Sequence, residues 1–239
     1  MRRLTWGMGA LVTAMGLLLA PLAHAAGVDR AKAADKVNVA AQVLKEIMDT
    51  PDKGIPSDLL RQAAAVAIFP DVIKAGFVIG GKYGRGVIIK HDPGANRWSA
   101  PAFYSIGAGS LGWQIGAEST DLVLVIRHQR GVDSLLKNEF TLGGDASVAA
   151  GPVGRTAEAS TDVALKSEVL AYSRSRGLFA GISLEGAKIN PLDDYNQAYY
   201  GRKLTSRQIL MEHKVSAPAS ARKLIEELER YSKPAAKKK

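Results

Sequence analysis

The chain has 239 residues, of which 32 are basic and 23 acidic, so its formal net charge at pH 7 is +9, and it contains no cysteine. The lack of cysteine excludes a disulfide framework and a lipid-modified cysteine. The length is enough for one domain with a substantial hydrophobic core, which must then stabilise the fold without cross-links.

The first 25 residues have the pattern of a secretory signal peptide. Arg2 and Arg3 precede an apolar segment at residues 11–20, and Ala23-His24-Ala25 forms a small-residue cleavage site. The apolar segment is short for a membrane-spanning helix. We therefore expect cleavage near Ala25 and a periplasmic or secreted protein, for which nucleic acid is not an expected partner.

The rest of the chain divides into one domain, residues 26–232, and a basic tail, residues 233–239. Four of the seven tail residues are lysines, and the others are proline and alanine, a composition too poor in apolar groups to fold. The tail either keeps the protein soluble or attaches it to an anionic surface, since basic residues near an anionic bilayer are attracted to it.

Apolar residues at helical spacing predict an amphipathic helix over residues 28–48. Pro56 and Ser57 open a second predicted helix that runs to about Ala67, before Phe69-Pro70 ends it. The first helix either lies in a membrane interface or packs on a sheet. Its alanine-rich apolar face and its polar face of mixed charge favour packing.

From residue 75 the sequence predicts mainly β-structure. Residues 76–81 and 86–90 are predicted to form a hairpin whose turn lies at residues 82–85. Residues 98–131 predict two or three adjacent strands, and within them residues 110–117 alternate strictly between large and very small side chains. The small face allows another backbone or a ligand to approach closely.

The second half of the chain returns to helices after further strands. We predict helical turns at residues 132–137, a strand at 140–150, and a hairpin around residues 175–177. Helices follow Pro191, one of them with a capping box that begins at Thr205. The predicted fold class is α+β: an antiparallel sheet, able to curl into a barrel, flanked by N-terminal and C-terminal helices.

No catalytic, metal or cofactor motif emerges from the sequence. Residues 107–112 spell G-x-G-x-x-G, but a strand pattern follows them where a dinucleotide site needs a helix. His91, His128 and His213 have no metal-ligand spacing. We therefore expect no enzyme activity and no cofactor.

Arginines are the candidate binding residues, because several fall at or near strand ends and guanidinium groups match phosphate geometry. The candidates for phosphate binding are Arg85, Arg127, Arg130, Arg155, Arg174 and Arg176. The alternative is that they are solubilising charges paired with Glu118, Asp121, Asp133 and Glu185.

Several long motifs resemble the bacterial branch of the SYLF lipid-binding domain family. They are WSAPAFY (98–104), GWQIGA (112–117), FTLG (140–143), DASVAAGPVGR (145–155), YSRSRGLFAG (172–181), SLEG (183–186) and the segment 196–201. The resemblance covers about residues 60–210.

The resemblance implies a protein that binds anionic phospholipid head groups peripherally and without catalysis. Some eukaryotic members resemble phosphoinositide-binding modules, and some fungal members bind actin. Because the chain is predicted to be exported, we expect an anionic phospholipid membrane surface as its partner and no actin. Two other hypotheses stay open: an envelope adaptor that binds a protein, and a carrier of an apolar ligand behind Leu111, Trp113 and Ile115.

Overall fold

The computed structural model describes residues 28–50, 54–76, 79–92, 94, 97–111, 116–153, 166–175, 178–179 and 184–233. The predicted signal peptide and the tail beyond Lys233 lie outside these residues. The helices are α1 (Arg30–Met48), α2 (Ser57–Gln62), α3 (Gln129–Leu135), α4 (Asp193–Tyr200), α5 (Ser206–Leu210) and α6 (Arg222–Ser232), the last preceded by a 3-10 turn at Ala219–Ala221.

A curled, half-barrel-like sheet forms the centre of the fold. Its strands are β1 (Ala65–Gly76), β2 (Ile79–Asp92), β3 (Arg97–Trp98), β4 (Ala102–Leu111), β5 (Gly116–Ile126), β6 (Phe140–Thr141), β7 (Val148–Ala150), β8 (Val169–Ser175), β9 (Leu178–Phe179) and β10 (Lys188–Pro191). The order is β6-β10-β4-β2-β1-β5-β8-β7, with β3 beside β2 and β9 beside β8.

This architecture confirms the predicted α+β class with helices at both ends. Neighbouring strands are antiparallel, as predicted, but β7 runs parallel to β8. The four central strands β4-β2-β1-β5 extend together to one end, where Ile79 pairs with Leu111 and Gly76 pairs with Gly116. We call this the distal end of the sheet.

Side chains alternate between the two faces of the sheet along each strand, and both faces are covered by helices. Val66 and Ile68 of β1 enter a core shared with α1, α4 and α6, and we call this side the first face. Ala67 and Phe69 enter a separate core shared with α3 and α5, on the second face.

Helix α1 packs on the first face, as its alanine-rich pattern favoured. Val37, Leu44 and Ile47 are fully buried there, and small Ala40 and Ala41 let the helix approach the sheet closely. Asp29 caps the helix by accepting a hydrogen bond from the Lys32 backbone N–H at 2.7 Å.

The second predicted helix is wrong beyond Gln62. Residues 65–69, expected to end it, belong instead to strand β1, which continues past Pro70. Proline has no backbone N–H to donate to a neighbouring strand. The strand accommodates Pro70 with a bulge between Phe69 and Val72, where Asp71 has φ 52°. The long-range pairing of β1 with β2 and β5 overrides the local helical pattern.

The predicted turn at residues 82–85 is also wrong. These residues lie inside β2, which runs without interruption from Ile79 to Asp92. Glycines at 84 and 86 imitate a turn signal, but they face the β1 bulge: a Cβ at Gly84 would lie 2.8 Å from a Val72 methyl carbon. Glycine is required at these two positions because the neighbouring strand β1 leaves no room for a side chain.

Several other local predictions are confirmed, but the strand predicted at residues 140–150 is wrong: Phe140–Thr141 and Val148–Ala150 are separate short strands with a turn between them. Ala102–Leu111 is a strand, so its glycines belong to a sheet and not to a nucleotide loop. The capping box at Thr205 is present, with both reciprocal hydrogen bonds to Gln208. One of the helices predicted after Pro191 is α6, in which Leu224 and Leu228 are buried.

Candidate functional site

Three side chains near the distal end form a surface that we call the distal patch: Ile73, Tyr83 and Arg85. Ile73 and Tyr83 are register partners on β1 and β2, and Arg85 is two residues further along β2, so all three lie on the first face. Ile73 is 52% exposed and Tyr83 is 48% exposed, and Arg85 is exposed as well. The patch therefore presents apolar and cationic groups side by side.

Arg85 is held between two tyrosine rings. Its Nε donates a hydrogen bond to the Tyr83 hydroxyl at 3.0 Å, and Nη1 donates to the Tyr195 hydroxyl at 3.4 Å. The guanidinium carbon lies 5.3 Å and 5.7 Å from the two ring centroids. Hydrogen bonding to Tyr83 is the largest cause that raises the pKa of Arg85. The two bonds use two of its five N–H donors, so the others can bind an anion.

The strand beside Tyr83 adds little side-chain bulk. Gly107 of β4 is the register partner of Tyr83, and a Cβ at Gly107 would lie 3.9 Å from the Tyr83 ring. Further along the same face, a Cβ at Gly109 would meet nothing within 4 Å. A ligand can therefore approach the sheet beside the tyrosine ring.

Arg174, another predicted phosphate ligand, is occupied by carboxylates. Its Nη2 forms ion pairs with Glu46 of α1 and, at 3.1 Å, with Asp121 of β5. The Arg174 side chain is only 16% exposed. Arg174 therefore attaches α1 to the sheet. Its ion pair with Asp121 agrees with the alternative hypothesis, in which the arginines pair with carboxylates such as Asp121.

Arg127 and Arg130 lie at the opposite end of β5, next to Glu168. Arg130 Nε bonds the buried Glu168 carboxylate at 2.5 Å, although its own side chain is 76% exposed. Arg127 donates to the Ser167 carbonyl at 3.2 Å, and His128 contacts the same Glu168 carboxylate. Burial raises the pKa of Glu168, but the hydrogen bonds from Arg130 and His128 outweigh it and bring the pKa below its usual value.

The predicted arginines do not form one cradle in the part of the chain that the structure describes. Arg155 and Arg176 lie outside the described residues. Arg130 and Arg174 have carboxylate partners, whereas no ion pair between described residues involves Arg85. Arg85 is therefore the predicted arginine best placed to bind an external anion.

Ile73 and Tyr83 were missed because their strands were not predicted correctly. Tyr83 stood in a predicted turn, and Ile73 followed a predicted helix end. Continuing the two-residue alternation from Ile89 and Val87 back through residues 82–85 would have placed Arg85 and Tyr83 on the same face. That signal was present, but the glycines obscured it.

Two further features of the described residues bear on the open hypotheses. Within the described ranges, no group of three or more metal-ligating side chains comes together. Among those same residues, no helix is long and apolar enough to cross a membrane. Of the residues proposed to line an apolar cavity, Trp113 and Ile115 lie outside the described part of the chain.

Comparison with known proteins identifies relatives that share most of this chain. A protein-family model described as "Ysc84: Las17-binding protein actin regulator" matches residues 107–231, just over half of the sequence. The Xenopus laevis "SH3 domain-containing YSC84-like protein 1" is 36% identical over 199 residues, which are 81% of this chain and 59% of that protein.

Two yeast proteins are also similar. "Protein YSC84" of Saccharomyces cerevisiae is 39% identical over 181 residues, covering 74% of this chain and 38% of its own length. "LAS seventeen-binding protein 3" is 40% identical over 162 residues, covering 66% and 35% of the two chains. This chain thus spans less than two thirds of each of these relatives.

These findings correct one expectation and confirm another. The absence of actin among the partners, expected from predicted export, is contradicted, because the matching family is described as an actin regulator and one relative is named for binding Las17. These names describe binding and regulatory proteins. The resemblance drawn from the sequence motifs is confirmed at the level of the family: the chain belongs to the Ysc84 family, the group with the SYLF domain.

Proposed function

We propose that this protein is a non-catalytic binding protein that attaches to anionic phospholipid head groups through the distal patch. The observation that carries the proposal is the adjacency of exposed Ile73 and Tyr83 to Arg85 on one face of the sheet. A tyrosine ring favours the boundary between water and lipid, and an arginine beside it can bond a lipid phosphate.

The expected strength of such a contact is modest. One basic residue near an anionic bilayer contributes about 1 kcal/mol, and burying the exposed half of an isoleucine side chain contributes about 1 kcal/mol more. The formal net charge, +9 for the full chain and +7 once Arg2 and Arg3 are removed with residues 1–25, adds long-range attraction to an anionic surface. The sum favours reversible, salt-sensitive attachment.

Replacing Arg85 with glutamine tests the electrostatic part of this proposal. We expect the R85Q variant to bind phosphatidylserine-containing vesicles about fivefold more weakly in a co-sedimentation assay, which corresponds to about 1 kcal/mol. Arg207→Gln is the matched control, because Arg207 is exposed on α5, which packs on the second face. Equal losses in both variants would contradict a specific role for Arg85.

Replacing Ile73 with serine tests the apolar part. The I73S variant should also lose about fivefold in vesicle affinity, and its loss should persist at high salt because burial of apolar surface is not screened. Binding of the parent protein to neutral phosphatidylcholine vesicles as strong as to anionic ones would overturn the electrostatic mechanism.

A protein partner is the second candidate function. The relatives' names support it, since they refer to Las17 binding and actin regulation. We propose that the domain shared by this chain and these relatives binds a protein of the actin-regulating machinery. Co-sedimentation with actin filaments tests this, and the same protein fraction in the pellet with and without filaments would count against it.

Export is a separate proposal that depends on the sequence alone, and it is an alternative to the actin-regulating partner. We propose that residues 1–25 are removed and that the protein acts in the periplasm or outside the cell. The basic n-region, apolar segment and A-x-A site support it. Mass determination of the N-terminus in protein from its native cell would show residue 26 first, whereas an intact Met1 would contradict cleavage.

A further inference from the structure

The second face of the distal end carries two lysines directly opposite each other. Lys74 of β1 is the register partner of Lys82 of β2. On its other side Lys74 faces Glu118 of β5, and Lys82 faces Ala108 of β4. Among the described residues of this row, two ammonium groups and one carboxylate give a net positive charge, although like charges placed opposite each other destabilise a sheet.

These lysines are partly buried and not simply extended into water. Both are intermediate in exposure. Burial is the largest cause that lowers the pKa of Lys82, and the positive charge of Lys74 lowers it further, while Glu118 acts in the opposite direction. An anion bound between the lysines would relieve the repulsion between them.

The lysine pair lies at nearly the same height on the sheet as the distal patch. Lys74 follows Ile73 in the chain and Lys82 precedes Tyr83, so the two pairs are one residue apart, about 3.4 Å along the strands. Their side chains leave opposite faces. A membrane lying flat on the distal patch would leave both lysines directed away from it.

We propose that the distal end enters the head-group layer edge-on, with Lys74 and Lys82 forming a second phosphate-binding site on the face opposite Arg85. This inference rests on the proposed function and specifies the orientation in which the protein binds. An edge-on sheet exposes both faces to head groups, and long lysine side chains can lie along apolar surface while their ammonium groups reach phosphates.

The double variant K74Q/K82Q distinguishes the two orientations. In co-sedimentation with phosphatidylserine-containing vesicles, edge-on binding predicts a loss of about tenfold or more, from two basic residues near the bilayer. The control is K203Q/K223Q, which removes the same charge from two exposed lysines outside the sheet. Thermal unfolding of both double variants shows whether each remains folded.

Each outcome separates the inference from the function on which it rests. If the parent binds anionic vesicles and K74Q/K82Q falls well below K203Q/K223Q, edge-on binding is supported. If the two double variants bind equally well while R85Q is weakened, the membrane lies on the first face and the inference fails, although the proposed function stands. If the parent itself shows no preference for anionic vesicles, the proposed function fails and the edge-on inference fails with it.

Discussion

Replacing Gly86 with alanine is expected to destabilise the protein by about 3 kcal/mol or more. Gly86 is buried in β2, and a Cβ at this position would overlap the Ile68 carbonyl oxygen and lie 2.8 Å from the Phe69 Cα. Both neighbours are backbone atoms of the central strand β1, so they cannot move aside as the end of a flexible side chain could. Relief requires the pairing of β1 with β2 to shift.

The matched control lies in the same strand. A Cβ at Gly81 would have the Ala108 carbonyl oxygen as its nearest neighbour, at an ordinary 3.6 Å, so the G81A variant should stay within about 0.5 kcal/mol of the parent. Urea unfolding measures the free energy of unfolding of both variants, and an unchanged m-value would show that stability alone has changed. A G86A protein as stable as G81A would contradict the proposed role of the bulge.

The Gly86 environment also explains why the sequence predicted the start of one helix correctly but a turn inside β2 wrongly. Helix ends carry local signals, as the capping box of Thr205 and Gln208 shows, and these are read from neighbouring residues. The bulge of β1 is set by two other strands, and only the three-strand arrangement explains the glycine at 86. Local turn propensity therefore gave a wrong turn in β2.

The candidate site was predictable only in part for a similar reason. Arginines at strand ends were identified by residue type, but residue type alone does not tell a free guanidinium from a paired one. Arg174 meets Glu46, which is 128 positions away in the chain, whereas Arg85 meets two tyrosines. Such partners depend on how α1 and α4 pack on the sheet.

Replacing Arg174 with alanine should therefore cost stability and not ligand affinity. Breaking a buried ion pair by removing one partner typically costs 3–5 kcal/mol. Because Glu46 and Asp121 are partly exposed, we expect about 2–3 kcal/mol in urea unfolding at pH 7. The variant leaves two carboxylates facing each other without the guanidinium between them. Lysine at 174 should recover only part of the loss, since it cannot use a planar fork to bridge both.

The stability lost in the R174A variant should depend on pH, whereas a stability loss from a general packing defect would not. Hydrogen bonds from Gln42 and then from Arg174 lower the pKa of Glu46 below its ordinary value of 4.5. A depressed carboxyl pKa stabilises the fold above that value, and the stabilisation is lost as pH falls through the folded-state pKa. The difference in stability between the parent and R174A should thus narrow below about pH 4.5.

Vesicle binding completes the distinction between Arg174 and Arg85. At a temperature where R174A is folded, its affinity for anionic vesicles should match that of the parent, because its guanidinium is already neutralised by two carboxylates. A loss as large as that expected for R85Q would instead place Arg174 in the phosphate-binding surface. In that case Glu46 and Asp121 would have to release it on binding, and α1 would loosen from the sheet at the membrane.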